Sequence, residues 1–265
     1  MKYSFGLIGA GNMGGAIAKA VSRSLKDGVL VDRNQARAES LAAELGFTAV
    51  SQEEAAKECR YLFLGVKPHL AAGVVAELVP VLKERTEAPV LVSMAAGVTT
   101  AQLTSWAADI PIIRIMPNTP VAVGQGVVLY SKNPFVTEEQ EAGFRDAMKQ
   151  VGGLYPIDES LIDAATAVSG CGPAFAYLMI DAMADGGVAC GLPRAEALKY
   201  AAQTMVGAAQ MVLETGKHPA QLKNEVCSPG GSTIQGVRTL EQRAVPAALM
   251  DAVIVSYEKS AALGK

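Results

Sequence analysis

The chain has 265 residues, and its 23 Lys+Arg against 26 Asp+Glu give a net charge of −3; half the residues are apolar and 18% are charged. This is ample for one large or two modest packed domains and excludes an intrinsically disordered chain. With no excess of basic residues there is no footprint for nucleic acid, and the apolar stretches are broken by Gly, Asp or Lys short of the ~18–20 residues of a bilayer span, so no membrane partner is expected.

In chain order, residues 5–9 read as a short apolar strand. Residues 12–24 read as a helix with Met13, Ile17, Ala20 and Val21 on one face. Residues 29–31 form a second strand, and 34–45 a helix stopped by Gly46. A third strand follows at 61–66, then a helix at 69–83. Further strands are expected at 90–93, 112–116 and 126–130, with helices at 100–107 and 137–149. Short apolar runs alternating with helices indicate an α/β domain with a doubly wound parallel sheet, assigned here to residues 1–160.

From residue 161 to 265 no strand is expected, and 21 of these 105 residues are Ala. Pro173 opens a helix whose residues 174–185 are apolar nearly all round, interrupted only by Asp181 and Asp185. Such a helix needs burial on almost every side, and a helical piece of about 100 residues has little interior to provide it. A subunit interface is therefore expected. Pro193 starts another helix with Leu198, Ala201, Met205, Ala208 and Val212 on one face, ending at Gly216 before Pro219.

The N-terminus has one Lys and a short apolar run leading into glycines, unlike a signal peptide. The four cysteines, Cys59, Cys171, Cys190 and Cys227, form no C-x-x-C pair, and the only histidines are His69 and His218. No metal site is expected from that set, and His-dependent nucleophilic chemistry is not a leading reading. Reduced thiols and a cytoplasmic location are expected.

Gly9-Ala10-Gly11-Asn12-Met13-Gly14 is a G-x-G-x-x-G pattern between a strand and a helix, the context of a dinucleotide fingerprint. Gly9 permits the tight turn, Gly11 the approach of a pyrophosphate, and Gly14 the close packing of helix on strand. The next strand ends at Asp32-Arg33. An acid here favours the ribose diol of NAD, whereas an arginine favours the 2′-phosphate of NADP. Both are present, and on these residues alone the choice is even.

Gly230-Gly231-Ser232-Thr233 precedes a periodic stretch, Ile234, Val237 and Leu240. Ser228 or Ser232 can cap that helix. The two glycines leave amides open to a small anion such as a carboxylate, with the Thr233 hydroxyl beside it. A second glycine-rich start, 168–174, either binds an anion or lets two backbones touch. Lys67, at a strand end, contacts cofactor or substrate or is a solvated loop residue. Asn118, stiffened by Pro117 and Pro120, can present a fixed amide.

Together these segments resemble pyrroline-5-carboxylate reductases. The carrying residues are the Gly9–Gly14 loop, Val66-Lys67-Pro68, residues 93–99, 116–120 and 168–174, and residues 228–234. Cys171 stands where the family usually has Ser. The resemblance implies an N-terminal Rossmann domain (1–160) and a helical domain (161–265) for dimerisation and substrate binding. It implies reduction of the C=N bond of 1-pyrroline-5-carboxylate to proline, the last step of proline biosynthesis, with NADPH preferred and NADH possible. By matching positions, Ile8, Gly9, Ala10, Gly11, Asn12, Met13, Gly14, Val66, Lys67, Pro68, Ala95 and Ala96 line the cofactor, with Asp32, Arg33 and Asn118 as further candidates. Gly230, Gly231, Ser232 and Thr233 hold the substrate, Thr233 being the catalytic candidate. A homodimer is implied, with a larger ring of dimers as a further assembly.

Two rival readings differ in sequence. A β-hydroxyacid dehydrogenase normally presents a catalytic Lys early in its helical domain, yet residues 161–193 contain none. A non-enzymatic NAD(P)-binding sensor needs the Gly9–Gly14 loop but no second anion site at 230–233.

Overall fold

Tyr61 and Phe63 lie on one face of their strand and Leu62 and Leu64 on the other, and all four are buried. A strand of this kind must be covered on both sides. A computed structural model describing residues 1–263 shows how. The chain runs β1 (Tyr3–Ile8), α1 (Asn12–Val21), β2 (Gly28–Val31), α2 (Gln35–Leu45), β3 (Thr48–Ala49), α3 (Gln52–Glu58) and β4 (Cys59–Leu64). It continues through α4 (Pro68–Lys83), β5 (Val90–Ser93), α5 (Thr100–Ala107), β6 (Ile112–Pro117), β7 (Gly126–Lys132), α6 (Glu138–Ala147) and β8 (Gly152–Pro156). Helices α7 (Ile162–Ser169), α8 (Gly172–Ala189), α9 (Arg194–Thr215), α10 (Pro219–Glu225), α11 (Ser232–Gln242) and α12 (Val245–Leu263) follow.

The sheet order is β3-β2-β1-β4-β5-β6-β7-β8. The chain builds outward from β1 to β3, then crosses to β4 on the other side of β1. That reversal opens a crevice at the carboxyl ends of β1 and β4, where such sheets bind ligands. The sheet is not wholly parallel, which corrects the expectation: β7 runs antiparallel to β6. Only residues 118–125 join the two strands, too few for the crossover that a parallel neighbour requires. β8 then pairs parallel with β7.

Local sequence explains most boundaries. Asn34 caps α2 by accepting from the Arg37 amide, and Gly46 ends it in the left-handed conformation at φ 71°. Thr99 and Thr137 each form a capping box with the Gln three residues on. β3, α3 and β8 were not expected, and α7, α10 and α12 were covered only by the expectation of a helical second half. On one face of the sheet a chain of rings fills the core, with centroids 4.8 Å apart for Phe5 and Phe63, and 5.4 Å for Tyr130 and Phe144. Leu62, Leu64, Leu91 and Ile112 fill the other face against α4 and α5.

The chain forms two compact units, one of Met1–Gly170 with the chain from Tyr257 onward, the other of Cys171–Ser256. The strands end at Pro156, and the expected break at 160/161 falls at a 3-10 turn, Glu159–Leu161. α7 thus groups with the sheet. In the second unit, α8 packs on α9 through Ala184, Ala197 and Ala201, where a Cβ on Gly187 would lie 3.1 Å from that of Ala197. Little else there is buried. Tyr177, Leu178 and Met183 of α8 are 59%, 72% and 46% exposed. The helical stretch Glu159–Ala189 contains an 18-residue run of mean hydropathy 1.3 and is long and apolar enough to cross a bilayer by length and composition. This differs from the expectation, because the helices run on through the Gly and Asp residues that were taken as breaks.

In the first unit the Glu159 carboxylate accepts from the Thr100 amide at 2.7 Å and from Arg114 Nη1 at 2.8 Å. Arg114 is buried, and its Nε has no partner among the described residues. Burial pushes the Glu159 carboxyl up, but the hydrogen bonds from Arg114 and Thr100 outweigh it and hold the group below its ordinary range. A carboxyl lowered in this way adds stability above the unfolded value and loses it as pH falls through the folded one. Glu159→Gln should therefore be less stable than the wild type at neutral pH. The gap should shrink between about pH 5 and about pH 3. Urea unfolding across that range checks this, and a pH-independent gap would show that the carboxylate charge is not what holds Arg114.

Candidate active site

The carbonyl of Gly9 sits at the centre of the crevice. A Cβ on Gly14 would lie 2.2 Å from the Gly9 oxygen, and one on Gly65 2.5 Å from it. Gly9 itself has φ +99°, a conformation that favours glycine. Gly65 was read only as a strand residue, although its place at the end of a buried strand was a signal for close backbone approach. These contacts bring the start of α1 down onto the ends of β1 and β4. Gly11 is different: a Cβ there would meet nothing within 4 Å. It is the N-cap of α1, in extended backbone and without a side-chain cap. The amides of Asn12, Met13 and Gly14 have no acceptor within the helix, and the space beside the Gly11 Cα is open. An anion fits there. Ile8 and Ala10 beside the loop are buried, Met13 is half-buried, and Asn12 is exposed.

The other first-unit candidates lie along the same carboxyl edge. Val66 is half-buried, while Lys67 and Pro68 are exposed at the start of α4. Lys67 is the N-cap residue but makes no side-chain cap bond. Ala95 is buried and Ala96 exposed after β5. Arg33 is exposed after β2 and makes no ion pair among the described residues. Asp32 is not a free acid: its carboxylate accepts from the Ala10 amide and from the Asn34 amide, each at 2.8 Å. Arg37, a cation that sequence reasoning missed, stands 3.7 Å from the same carboxylate. Its position one turn into a helix after Asp32 was the available signal.

Asn118 has the fixed amide expected of it, but the amide is fixed onto the protein's own backbone. Its Nδ2 donates to the Ser169 carbonyl and its Oδ1 accepts from the Val127 amide, both at 2.8 Å. The side chain is a buried brace between β7 and the end of α7. His218 is structural too, its Nδ1 accepting from the Ala220 amide at the start of α10, and His69 is exposed.

In the second unit, α11 starts at Ser232 with Gly231 as N-cap and no side-chain cap. The expected cap from Ser228 or Ser232 is thus corrected. Ser232 is already inside the helix, and Ser228 supplies its carbonyl to the Gly231 amide at 3.0 Å. Gly230 turns the chain at φ +69°. The amides of Ser232, Thr233 and Ile234 are left without intrahelical acceptors, and the exposed Thr233 stands among them.

Residues 159–263 match the family model "Pyrroline-5-carboxylate reductase dimerisation" and residues 4–97 match "NADP oxidoreductase coenzyme F420-dependent". The pyrroline-5-carboxylate reductase of Glycine max is 42% identical over 97% of this chain and 95% of its own. The chain belongs to the pyrroline-5-carboxylate reductase family. The Escherichia coli K12 reductase is 40% identical over the whole of both chains. The crystal structure of the Plasmodium falciparum reductase, with NADP bound, superposes with a TM-score of 0.85 at 30% identity over the whole of both chains. Membership in the reductase family displaces the β-hydroxyacid dehydrogenase reading. It also places the apolar stretch Glu159–Ala189 wholly within the dimerisation match.

The contrast between two glycines of the reductase loop is testable. Gly14→Ala should unfold more easily by about 1–3 kcal/mol, the usual scale of overpacking. Gly11→Ala should leave stability within about 1 kcal/mol but raise the KM for the dinucleotide about tenfold or more by obstructing its phosphate. Thermal melts and cofactor kinetics on both variants separate the roles. An unaltered KM in Gly11→Ala would remove the loop from phosphate binding.

Proposed function

We infer that the chain catalyses NAD(P)H-dependent reduction of 1-pyrroline-5-carboxylate to proline. The observation that carries this reading is the end-to-end match to reductases of that name, at 42% identity over 97% of the chain. Two glycine-capped helix starts supply the anion pockets that such a reaction needs, one in each unit. When bound, the nicotinamide cofactor supplies a hydride to the ring C=N carbon.

The protein's own part is to hold and orient. The amides at the start of α1 hold the pyrophosphate. The amides at the start of α11 hold the substrate carboxylate and so fix the ring's attitude. The Thr233 hydroxyl hydrogen-bonds the ring region and polarises the C=N bond. A protonated imine is already electrophilic and the amine product is the stronger base, so no histidine is needed. Positioning the two reacting carbons within about 3–3.5 Å accounts for much of the acceleration.

NADPH is the preferred cofactor in this reading, with NADH as a poorer substitute. Arg33 is exposed and unpaired among the described residues, and a guanidinium forks well onto a phosphate. Asp32 is already engaged by two backbone amides. Residues 1–160 thus carry the cofactor and 161–265 the substrate and dimer surface. The exposed apolar face of α8 is covered by a second copy, and dimers assemble further into a ring. The four free cysteines fit a cytoplasmic enzyme.

The test of the reading is the loss of NADPH or NADH absorbance on adding pyrroline-5-carboxylate. No substrate-dependent loss with either would leave only the sensor reading, and higher kcat/KM with NADH would overturn the role given to Arg33. Light scattering should give at least twice the 27.5 kDa chain mass, and an active monomer would refute the second-copy assignment. Thr233→Ala should lower kcat/KM by about one to three powers of ten, and Thr233→Ser much less, with cofactor affinity unchanged. If Thr233 served only its helix, the Ala variant would melt earlier, by the ~1 kcal/mol scale of a cap, yet turn over normally.

A further inference from the structure

Asp32 follows the last residue of β2, and its side chain is 10% exposed. Each of its carboxylate oxygens holds a different backbone segment. Oδ2 accepts from the amide of Ala10, inside the glycine loop, at 2.8 Å. Oδ1 accepts from the amide of Asn34, the cap of α2, at 2.8 Å. The Arg37 guanidinium stands 3.7 Å from Oδ2. Ala10 immediately precedes Gly11, where the backbone opens toward the anion, and Arg33 lies between Asp32 and Asn34 in the chain.

We propose that Asp32 is a positioning residue that sets the pyrophosphate loop and the Arg33 turn in one geometry, and not a reader of the adenosine ribose. The proposal rests on the cofactor reading given above and deepens it. A diol reader must present its oxygens to the ligand, whereas both oxygens here accept charge-assisted bonds from the protein's own amides. Those amides and Arg37 also partly offset the carboxylate's charge as felt by an incoming phosphate. Asparagine cannot reproduce the arrangement, because it has one acceptor oxygen and its NH2 would confront the second amide N–H. The consequence concerns specificity. The pyrophosphate is common to NADPH and NADH, so losing the anchor weakens both cofactors, and NADPH at least as much because the Arg33 turn is released too, whereas losing a diol reader weakens NADH alone.

The experiment measures Kd for NADPH and for NADH by fluorescence titration of the wild-type enzyme, Asp32→Ala and Asp32→Asn, with Tm recorded for each. Both Kd values should rise, about tenfold or more for Ala and less for Asn, that for NADPH by at least as large a factor as that for NADH. Weakening confined to NADH, or tighter binding of NADPH, would restore Asp32 as a ribose reader and overturn the proposal. A lower Tm with unchanged Kd values would also overturn it, leaving a purely structural residue. If the Ala variant does not fold, the Asn variant decides by the same ratio. A wild-type enzyme that binds neither cofactor refutes the cofactor reading itself, and the wild-type titration tells that failure apart.

Discussion

One backbone carbonyl governs the carboxyl edge of the sheet. The Gly9 oxygen lies so close to Gly14 and Gly65 that a Cβ on either would stand within 2.5 Å of it. Glycine at these places lets α1, β1 and β4 meet main chain to main chain where the strand order reverses. Any side chain there would lift the helix from the strands. The free amides of Asn12, Met13 and Gly14 would then lose their aim, since they are held by nothing but the seating of their helix. Asp32 completes that seating from the other side by fixing the Ala10 amide.

The two units meet the demand for burial in different ways. The first closes on itself: Phe5, Phe63 and Phe144 fill one face of the sheet and Leu62, Leu64 and Leu91 the other, all buried. The second closes on very little. Ala184, Ala197 and Ala201 let α8 and α9 approach closely, but small residues bury little area. Leu178, Val206 and Leu213 remain 72%, 60% and 74% exposed. Burying a large apolar side chain is worth roughly 1.5–3 kcal/mol, so a surface of this kind is stable in water only when covered. The family's dimerisation match falls on the same residues. In the proposed dimer, folding of the helical unit is linked to association and to protein concentration.

Strong periodic segments were legible in the sequence because burial on both faces of a strand, or along one helix face, leaves a regular trace. The β1, β4 and β5 runs, the stop at Gly46 and the start at Pro173 are of this kind. Weak traces hid the rest. β3 has two residues, and β8 reads Gly-Gly-Leu-Tyr-Pro, an edge strand of poor propensity. α3 buries only Ala55 and Ala56, and its one visible signal was Ser51, which accepts from the Glu54 amide. Side-chain direction was not legible at all. Asp32 and Asn118 stand where a ligand would be sought, yet each is turned inward onto backbone amides. A sequence pattern places a residue at a strand end but does not say whether its polar atoms are already used. Likewise, Ser228 and Ser232 made a plausible cap in sequence, whereas the helix is capped by Gly231 and leaves its amides bare.

Those bare amides explain why so few titratable side chains are needed. An ordinary cap fills the first turn of a helix with the protein's own oxygen. Glycine at the cap of α1 and of α11 leaves the turn to a ligand oxygen instead. Backbone amides hold no proton that titrates near neutrality, so the attraction for phosphate or carboxylate does not depend on the charge state of a histidine, and both histidines stand elsewhere. Side chains then differentiate what the backbone attracts. In the proposed function, an arginine beside one pocket distinguishes a phosphorylated ribose from a bare one, and a threonine beside the other distinguishes a ring with a polar atom from any other carboxylate. On this division of labour, changes to Arg33 or Thr233 alter which ligand is favoured or how fast it reacts, whereas changes to Gly11 or Gly231 decide whether an anion can enter at all.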